Sequence, residues 1–562
     1  MKTLFSESIR RKMPLLAAFI LFSLFSLWLM FHTFSYDAAS GSLLLGQKVW
    51  SDFAQHIPLI RSFSHGANLS RLVGAGVVEY PLYAGAGMRY HFVFYALVGA
   101  LEKLGLRIDW ALNIPSAIGF AALCMGIFIL AKYLFKNVWV AMLSVLFFLF
   151  NGSLAFLRFF SLHPLSFRTF EDIRTVQEFP AFAPWGPGLV SAFWNLNIYT
   201  NQRHLALAFS AIIFFILSLL YTERKPRKTH MLLGIFWGVV FGAFPFFHQP
   251  SLLIVAIILA CYFLLFPSLR LMLAVVGGTA AALAAPQVLP LLQGGAKTFA
   301  WFPGYLIHDT LTVGSFIVYW FHNLGLHALF IPLGFFLIPR RAQKTLIPLL
   351  GIFIVANMFK FSVEVAANHK FFNFALILGS MISAYVVVRL YSGANRLRNL
   401  VVAAGIKVLV VWLVVLLTFS GVIDFFVVAN DTKGTIADIP ANKAASWIDA
   451  NTSKDAVFLN SSYMYHPASL AGRSIVLGWP YFPWSAGYAG DRIPLLRKIY
   501  ESRNPTLFCP LLSEYGIDFL TVEDTHGDPD LPYIDTAYFL DAFEPAFAME
   551  GYAIFVTEAL CK

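Results

Sequence analysis

Charge is what this chain has least of: 12% of its 562 residues are Asp, Glu, Lys or Arg, about half the share of an average soluble domain. A water-soluble globular protein is excluded. Cysteine is scarce too, four in all, which removes a disulfide-dense scaffold. With 17% aromatic residues, disorder and collagen-like repeats are also out. The sequence has no Walker-type loop and no GxGxxG placed between a strand and a helix, so it offers no nucleotide-binding fingerprint. What remains is apolar: 59% hydrophobic, with mean hydropathy +0.70. The composition is that of a polytopic membrane protein.

The charges are unevenly distributed. Residues 1–424 hold 31 Lys+Arg and 13 Asp+Glu, a balance of +18, and residues 425–562 hold 9 and 17, a balance of −8. Basic loops that orient membrane helices account for the high pI better than a nucleic-acid surface does. A hydrocarbon core about 30 Å thick needs about 20 apolar residues per helix. Eleven such runs are expected, near 13–35, 111–131, 138–157, 204–221, 231–248, 250–267, 271–292, 320–338, 345–359, 371–389 and 400–424. The first follows Arg10, Arg11 and Lys12 and is longer than a cleavable signal, so it reads as a retained anchor with the N-terminus cytoplasmic. The inner loops then collect 18 basic residues against Glu7 and Glu223, as the positive-inside rule requires. The location expected is the inner or plasma membrane.

Eleven crossings put residues 425–562 outside, as a soluble domain large enough for its own core. Short β-type runs (Ala456–Leu459, Ser474–Leu477, Phe519–Val522, Ala553–Thr557) alternate there with helical ones (Ala441–Ala450, Ile493–Ser502), which predicts an α/β domain. Cys509 and Cys561 are able to pair in it, whereas Cys124 and Cys261 lie in membrane helices. The expected fold is a polytopic α-helical membrane domain over residues 1–424 with a C-terminal extracytoplasmic α/β domain.

The first outer loop, residues 36–110, is too long for an ordinary connection. Leu43–Phe63 has helical apolar spacing and Phe92–Leu104 is a second apolar segment, both suited to lying along the interface. In and around them the loop gathers Asp37, Asp52, His56, Arg61, Glu79, Arg89 and His91. Asp52 stands four residues before His56 on an otherwise apolar segment, one helical turn away. Further polar groups fall at the outer ends of later helices: Asn195, Asn197, Gln202, Arg203 and His204, then His248, then His369 and Lys370. Singly, each cation is explained by snorkelling to headgroups; together they share one face of the membrane with Asp52. One carboxylate with several cations suits phosphoryl-sugar chemistry, in which a base activates a hydroxyl and cations stabilise a departing phosphate. In the tail, Trp479 and Trp484 sit in an aromatic-rich stretch that suits either sugar stacking or a membrane contact.

These features resemble the GT-C superfamily of integral-membrane glycosyltransferases. The likeness rests on the cytoplasmic N-terminus and on an acid in the first outer loop, here Asp52 in SDFAQH. It also rests on YPLYAGAGMRYHFVFYALVGALEKLG, similar to the family's proline- and tyrosine-bearing segment ahead of a helix ending LAKYLF, and on a soluble tail. It covers residues 1–220 best. The resemblance implies a polyprenyl-phosphate-linked sugar donor, an envelope lipid, glycan or protein acceptor, and a bilayer around the protein; no nucleic acid is involved. It implies Asp52 as the catalytic carboxylate, with Asp37 as the competing acid. Arg89, His91, Arg203, His204, His369 and Lys370 would serve donor phosphate or sugar, and His56, Glu79, Trp479 and Trp484 the acceptor. The chain departs from members with paired acids, because Asp52 has no acidic neighbour. Mg²⁺ or Mn²⁺ therefore stays open, with Asp37, Glu79 or Glu364 to complete a cage. The rival reading is a secondary transporter or flippase of a lipid or glycan precursor.

Overall fold

All eleven apolar runs carry helix in the computed structural model, which describes residues 2–182, 188–191, 194, 196–292, 299–488, 490–525 and 528–562. Six helices are long and apolar enough to cross a bilayer: Met13–Thr33, Ile108–Phe135, Leu205–Thr222, Arg227–Phe247, Pro267–Leu289 and Val365–Ala394. Two more candidates are bent pairs, Val313–Leu324 with His327–Leu337 at 92° and Leu400–Leu416 with Phe419–Ala429 at 43°. The expected count of eleven is not confirmed: among the described residues it is six, or eight if each bent pair is one span. The difference is one of length. Val138–Leu149 has 12 residues, a rise of about 18 Å, and Gln249–Leu265 also stays below a full span.

Residues 2–32, 116–289 and 299–432 form one compact unit, and residues 33–115 with 433–562 form most of a second. In the first, the helix His369–Ala394 is the central element, packed against Val138–Leu149, His327–Leu337, Pro348–Met358 and Leu400–Leu416. Gly334 and Gly379 allow its close crossing with His327–Leu337, since a Cβ on either would overlap Ile382 or Ile331, the small-residue packing typical of helices in lipid. Large apolar side chains such as Phe19, Leu24, Val408, Val411 and Trp412 stay exposed along the spans, as a lipid environment permits and water does not.

In the second unit, the strand Lys433–Ala437 completes an antiparallel sheet with the hairpin Phe34–Asp37 and Ser42–Gly46. The first loop and the tail, far apart in sequence, are thus one folded body. The helix expected over Leu43–Phe63 is corrected here. Its first residues are strand, and helix begins at Trp50 and runs to Ser64. The pairing partner of Ser42–Gly46 lies almost 400 residues away, and main-chain pairing with it outweighs the local spacing. The expected tail elements form, as strands Val457–Leu459, Ser474–Ile475, Phe519–Glu523 and Tyr552–Val556 and helices Lys443–Asn451 and Ile493–Glu501. Strand Phe547–Met549 completes a five-stranded mixed sheet. Cys509 and Cys561 form a disulfide, with Cα atoms 5.6 Å apart, and Cys124 and Cys261 are free.

Candidate functional site

Asp52 lies in the first turn of the helix Trp50–Ser64, where the helix dipole favours a negative charge. It is half-buried, while almost every later residue of that helix is fully buried. The helix is fastened along its length. Near its start Gln55 donates to the Tyr80 hydroxyl at 2.6 Å. Arg61 meets both carboxylate oxygens of Asp438 at 2.8 Å and Glu102 at 3.4 Å, all three side chains being buried. Beyond its end, His65 bonds Asp449 at 3.3 Å. The fully buried guanidinium of Arg473 donates to the carbonyls of His65, Ala471 and Thr452.

Two phenols feel the charge of Asp52. Burial first, and then that negative charge, push the ionisation of both Tyr90 and Tyr465 above the ordinary phenol range. Both stay protonated donors at neutral pH. His56, one turn beyond Asp52, packs its ring 4.7 Å from Tyr95, and His91 stacks on Tyr90 at 3.8 Å. The structure therefore gathers Asp52, His56 and His91 around an aromatic cluster of Tyr90 and Tyr95.

The other candidates of this unit are differently employed. Asp37 accepts from the Ala39 amide at 3.0 Å and the Ser40 hydroxyl at 2.6 Å, building the hairpin turn, and the Ser40 bond holds its carboxyl below the usual carboxylate range. Glu79 is paired with Arg71 and accepts from the Gly85 amide at 2.9 Å. Arg89 donates to the Gly487 carbonyl at 2.8 Å and lies over the Tyr488 ring at 5.1 Å. Trp479 is half-buried and Trp484 is 48% exposed, with Tyr481 between them at 5.4 and 5.7 Å. Among the described residues no three of His, Cys, Asp or Glu gather as metal ligands. Asp37 is taken up by its turn and Glu79 by Arg71, so neither fits a Mg²⁺ or Mn²⁺ cage, and no step below uses a metal.

The remaining cations belong to the helical unit. Arg203 is fully buried; its Nε donates to the Thr200 carbonyl at 2.7 Å and a terminal nitrogen approaches the Met30 sulfur at 2.6 Å. His204 caps the helix Leu205–Thr222 and packs 5.3 Å from the His248 ring, whose Nδ1 is 2.7 Å from the Ser251 hydroxyl. His369 and Lys370 open the helix His369–Ala394, and His248 is electrostatically coupled to His204, Lys370 and His369. Arg203, His204, His369 and Lys370 are thus brought together with His248 in the interior of an apolar helical unit. Asn195 lies outside the described residues.

One polar group was underrated from sequence. Asp424, at the end of an expected run, is fully buried in the middle of the helix Phe419–Ala429. Asn151 donates to it at 2.9 Å and Ser191 also donates. The Gly421 amide bonds the Asn151 carbonyl at 2.9 Å, and a Cβ on Gly325, at the other helix bend, would overlap the Gly152 carbonyl. The only hint in the sequence is an acid inside an apolar run.

No protein-family model matches the chain, and no curated protein matches it by sequence. Among solved structures, it is similar to the oligosaccharyltransferase of Archaeoglobus fulgidus in the apo form, with TM-score 0.54 and 12% identity over 91% of this chain and 69% of that one. The same archaeal protein, AglB, in complex with an inhibitory peptide and a dolichol-phosphate, gives TM-score 0.50 and 12% identity over 92% and 70%. ArnT from Cupriavidus metallidurans bound to undecaprenyl phosphate gives TM-score 0.46 and 11% identity over 97% and 99%. The chain shares the fold of the archaeal oligosaccharyltransferase.

Proposed function

We propose that the chain is a membrane glycosyltransferase that moves a sugar from a polyprenyl-phosphate donor to an envelope acceptor on the extracytoplasmic side. The observation that carries this is the gathering of Arg203, His204, His248, His369 and Lys370 inside a lipid-adapted helical unit. Buried ionisable groups are costly there and mark a functional site, and an anionic headgroup entering from the membrane is the partner that the charges of Arg203 and Lys370 suit. The shared fold supports the same reading.

The reaction is an inverting displacement. The acceptor hydroxyl oxygen attacks the anomeric carbon, and the bond from that carbon to the phosphate oxygen breaks. The electron pair leaves with the polyprenyl phosphate, and the hydroxyl proton passes to Asp52. The basic residues stabilise charge developing on the leaving oxygen, where water is scarce and each interaction is strong. His56 borders the acceptor beside Asp52, Arg89 and His91 contribute to the donor phosphate or sugar, and the Trp479 and Trp484 faces stack on an acceptor glycan. Asp37 is the fallback carboxylate, though its turn-building bonds favour Asp52.

The shared sheet supports the proposed sidedness: the first loop and the tail fold as one body, which suits their lying together on one side of the membrane with the N-terminus on the other. That sidedness requires an odd number of crossings, which the six or eight full spans reach with one of the two shorter apolar helices.

A second reading, transport or flipping of a glycan precursor, draws on Asp424 at the junction of two bent helix pairs, a pattern that broken-helix carriers share. One experiment separates the two. In a deletion strain complemented with wild type, Asp52→Asn or Asp424→Asn at equal membrane levels, envelope glycans and lipid-linked sugars are compared by mass spectrometry. A transferase loses one sugar unit and accumulates its lipid-linked donor in the deletion and in Asp52→Asn. If the glycans change with Asp424→Asn and not with Asp52→Asn, transport is the function.

A further inference from the structure

Trp50 opens the helix that carries Asp52, and two pieces of the tail grip it. Tyr465 sets its ring edge-on to the indole at 4.9 Å and donates its hydroxyl to the Trp50 backbone carbonyl. The strand residue Gly434 in turn lies so close that a Cβ there would overlap the indole. The Tyr465 backbone is in the left-handed region, at φ 54°. A β-carbon-bearing residue resists that conformation, and such strain persists where the surroundings over-determine it and concentrates at functional positions. A tyrosine held there, with its hydroxyl spent on a first-turn carbonyl, is an unusual way to stabilise a helix that Arg61, His65 and Arg473 already fasten further along.

We infer that Tyr465 is a positioning residue for the transfer reaction: by clamping Trp50 against Gly434 it fixes the first helical turn and with it the direction of the Asp52 carboxylate. The tail is then part of the reacting apparatus in addition to being a glycan-binding surface. This rests on the assignment of Asp52 as the base. Displacing a base by about 1 Å can lower a rate by about 10²-fold, so the hydroxyl matters more to turnover than to folding. The negative charge of Asp52 reaches the Tyr465 phenol, in keeping with their proximity.

The test is Tyr465→Phe, which keeps the ring and removes only the hydroxyl. Purified full-length protein is given polyprenyl-linked sugars extracted from membranes of the deletion strain, together with acceptor from the same cells. Rates are taken per molecule of monodisperse protein, so a lower yield does not obscure them. The expected result is a kcat lowered 10-fold or more, an unchanged KM for the donor, a shifted pH profile, and no further loss when Tyr465→Phe is added to Asp52→Asn. Gly434→Ala, whose Cβ pushes on the indole, gives the same split between kcat and KM. Wild-type kcat and pH profile in Tyr465→Phe, with Asp52→Asn inactive, overturn the clamp alone. Full activity of Asp52→Asn overturns the assignment of the base instead.

Discussion

The buried ion triad Arg61, Asp438 and Glu102 gives the most quantitative handle on how the Asp52 helix is held. The Arg61 guanidinium bonds both oxygens of Asp438 at 2.8 Å, with Arg61 4% and Asp438 6% exposed. Asp438→Ala leaves the guanidinium buried with His65 at 3.2 Å and with Glu102, at 3.4 Å, as its one close carboxylate. Breaking such a pair from one side costs about 3–5 kcal/mol, most of it the penalty for an uncompensated buried charge. For a folded unit of this size each kcal/mol moves the melting temperature by roughly 2–4 °C, so the unit should melt roughly 6–20 °C lower. Replacing Arg61→Leu together with Asp438→Leu removes the stranded guanidinium and leaves Glu102 with the Ser64 hydroxyl at 2.5 Å, so it should recover part of that loss. Differential scanning fluorimetry of detergent-solubilised full-length protein measures all four corners of the cycle. If Asp438→Ala melts within 1 °C of wild type, or if the double variant melts no higher than the single, the triad is not what secures the helix.

Two further outcomes follow from other parts of the chain. Burial pushes His466 down to about 3, while its Nε2 bonds Thr521 at 3.0 Å and its Nδ1 accepts from the Ala468 amide. Because the folded value lies below the unfolded one of about 6.5, the contribution is complete above pH 6.5 and declines as pH falls toward 3. By pH 5 the loss is roughly 2 kcal/mol, and His466→Asn, which keeps a capping oxygen, should flatten that part of the pH–stability curve; an unchanged slope would refute the assignment. In the helical unit, Lys370→Met should lower kcat/KM for the lipid-linked donor about 10²-fold, the usual cost of removing one group that stabilises a developing oxyanion. Wild-type donor kinetics in that variant would take the cation cluster out of phosphate binding.

How much of this was legible in the sequence depended on how local the signal was. The apolar runs were visible because each helix satisfies its own backbone, and the tail strands because alternation over four or five residues is enough to mark them. The strand Ser42–Gly46 was read as helix because its pairing partner, Lys433–Ala437, is remote. The bends after Leu324 and Leu416 were hidden inside continuous hydrophobic runs, with Gly325 as the one trace, since a kink costs backbone bonds that only neighbouring segments can restore. Asp52, His56 and His91 could be grouped from one loop, and they do converge on Tyr90 and Tyr95. That His248 joins His204, His369 and Lys370 required the packing of three helices. Tyr465 carried no sequence sign, because neither its φ nor its bond to Trp50 is encoded nearby. Glu79 and Asp37 show the opposite error: acids in a functional loop draw attention, and here Arg71 and a hairpin turn occupy them.

The central claim is that this chain breaks the bond between a sugar and a polyprenyl phosphate with Asp52 as the base. The most direct test is single-turnover release of free polyprenyl phosphate from the extracted lipid-linked donor, followed by mass spectrometry, with acceptor present, for reconstituted wild type and Asp52→Asn. The account predicts stoichiometric release coupled to glycosylated acceptor in wild type and at least a 10²-fold slower release in the variant. Equal release by both proteins, or none by wild type with its donor and acceptor present, would contradict it.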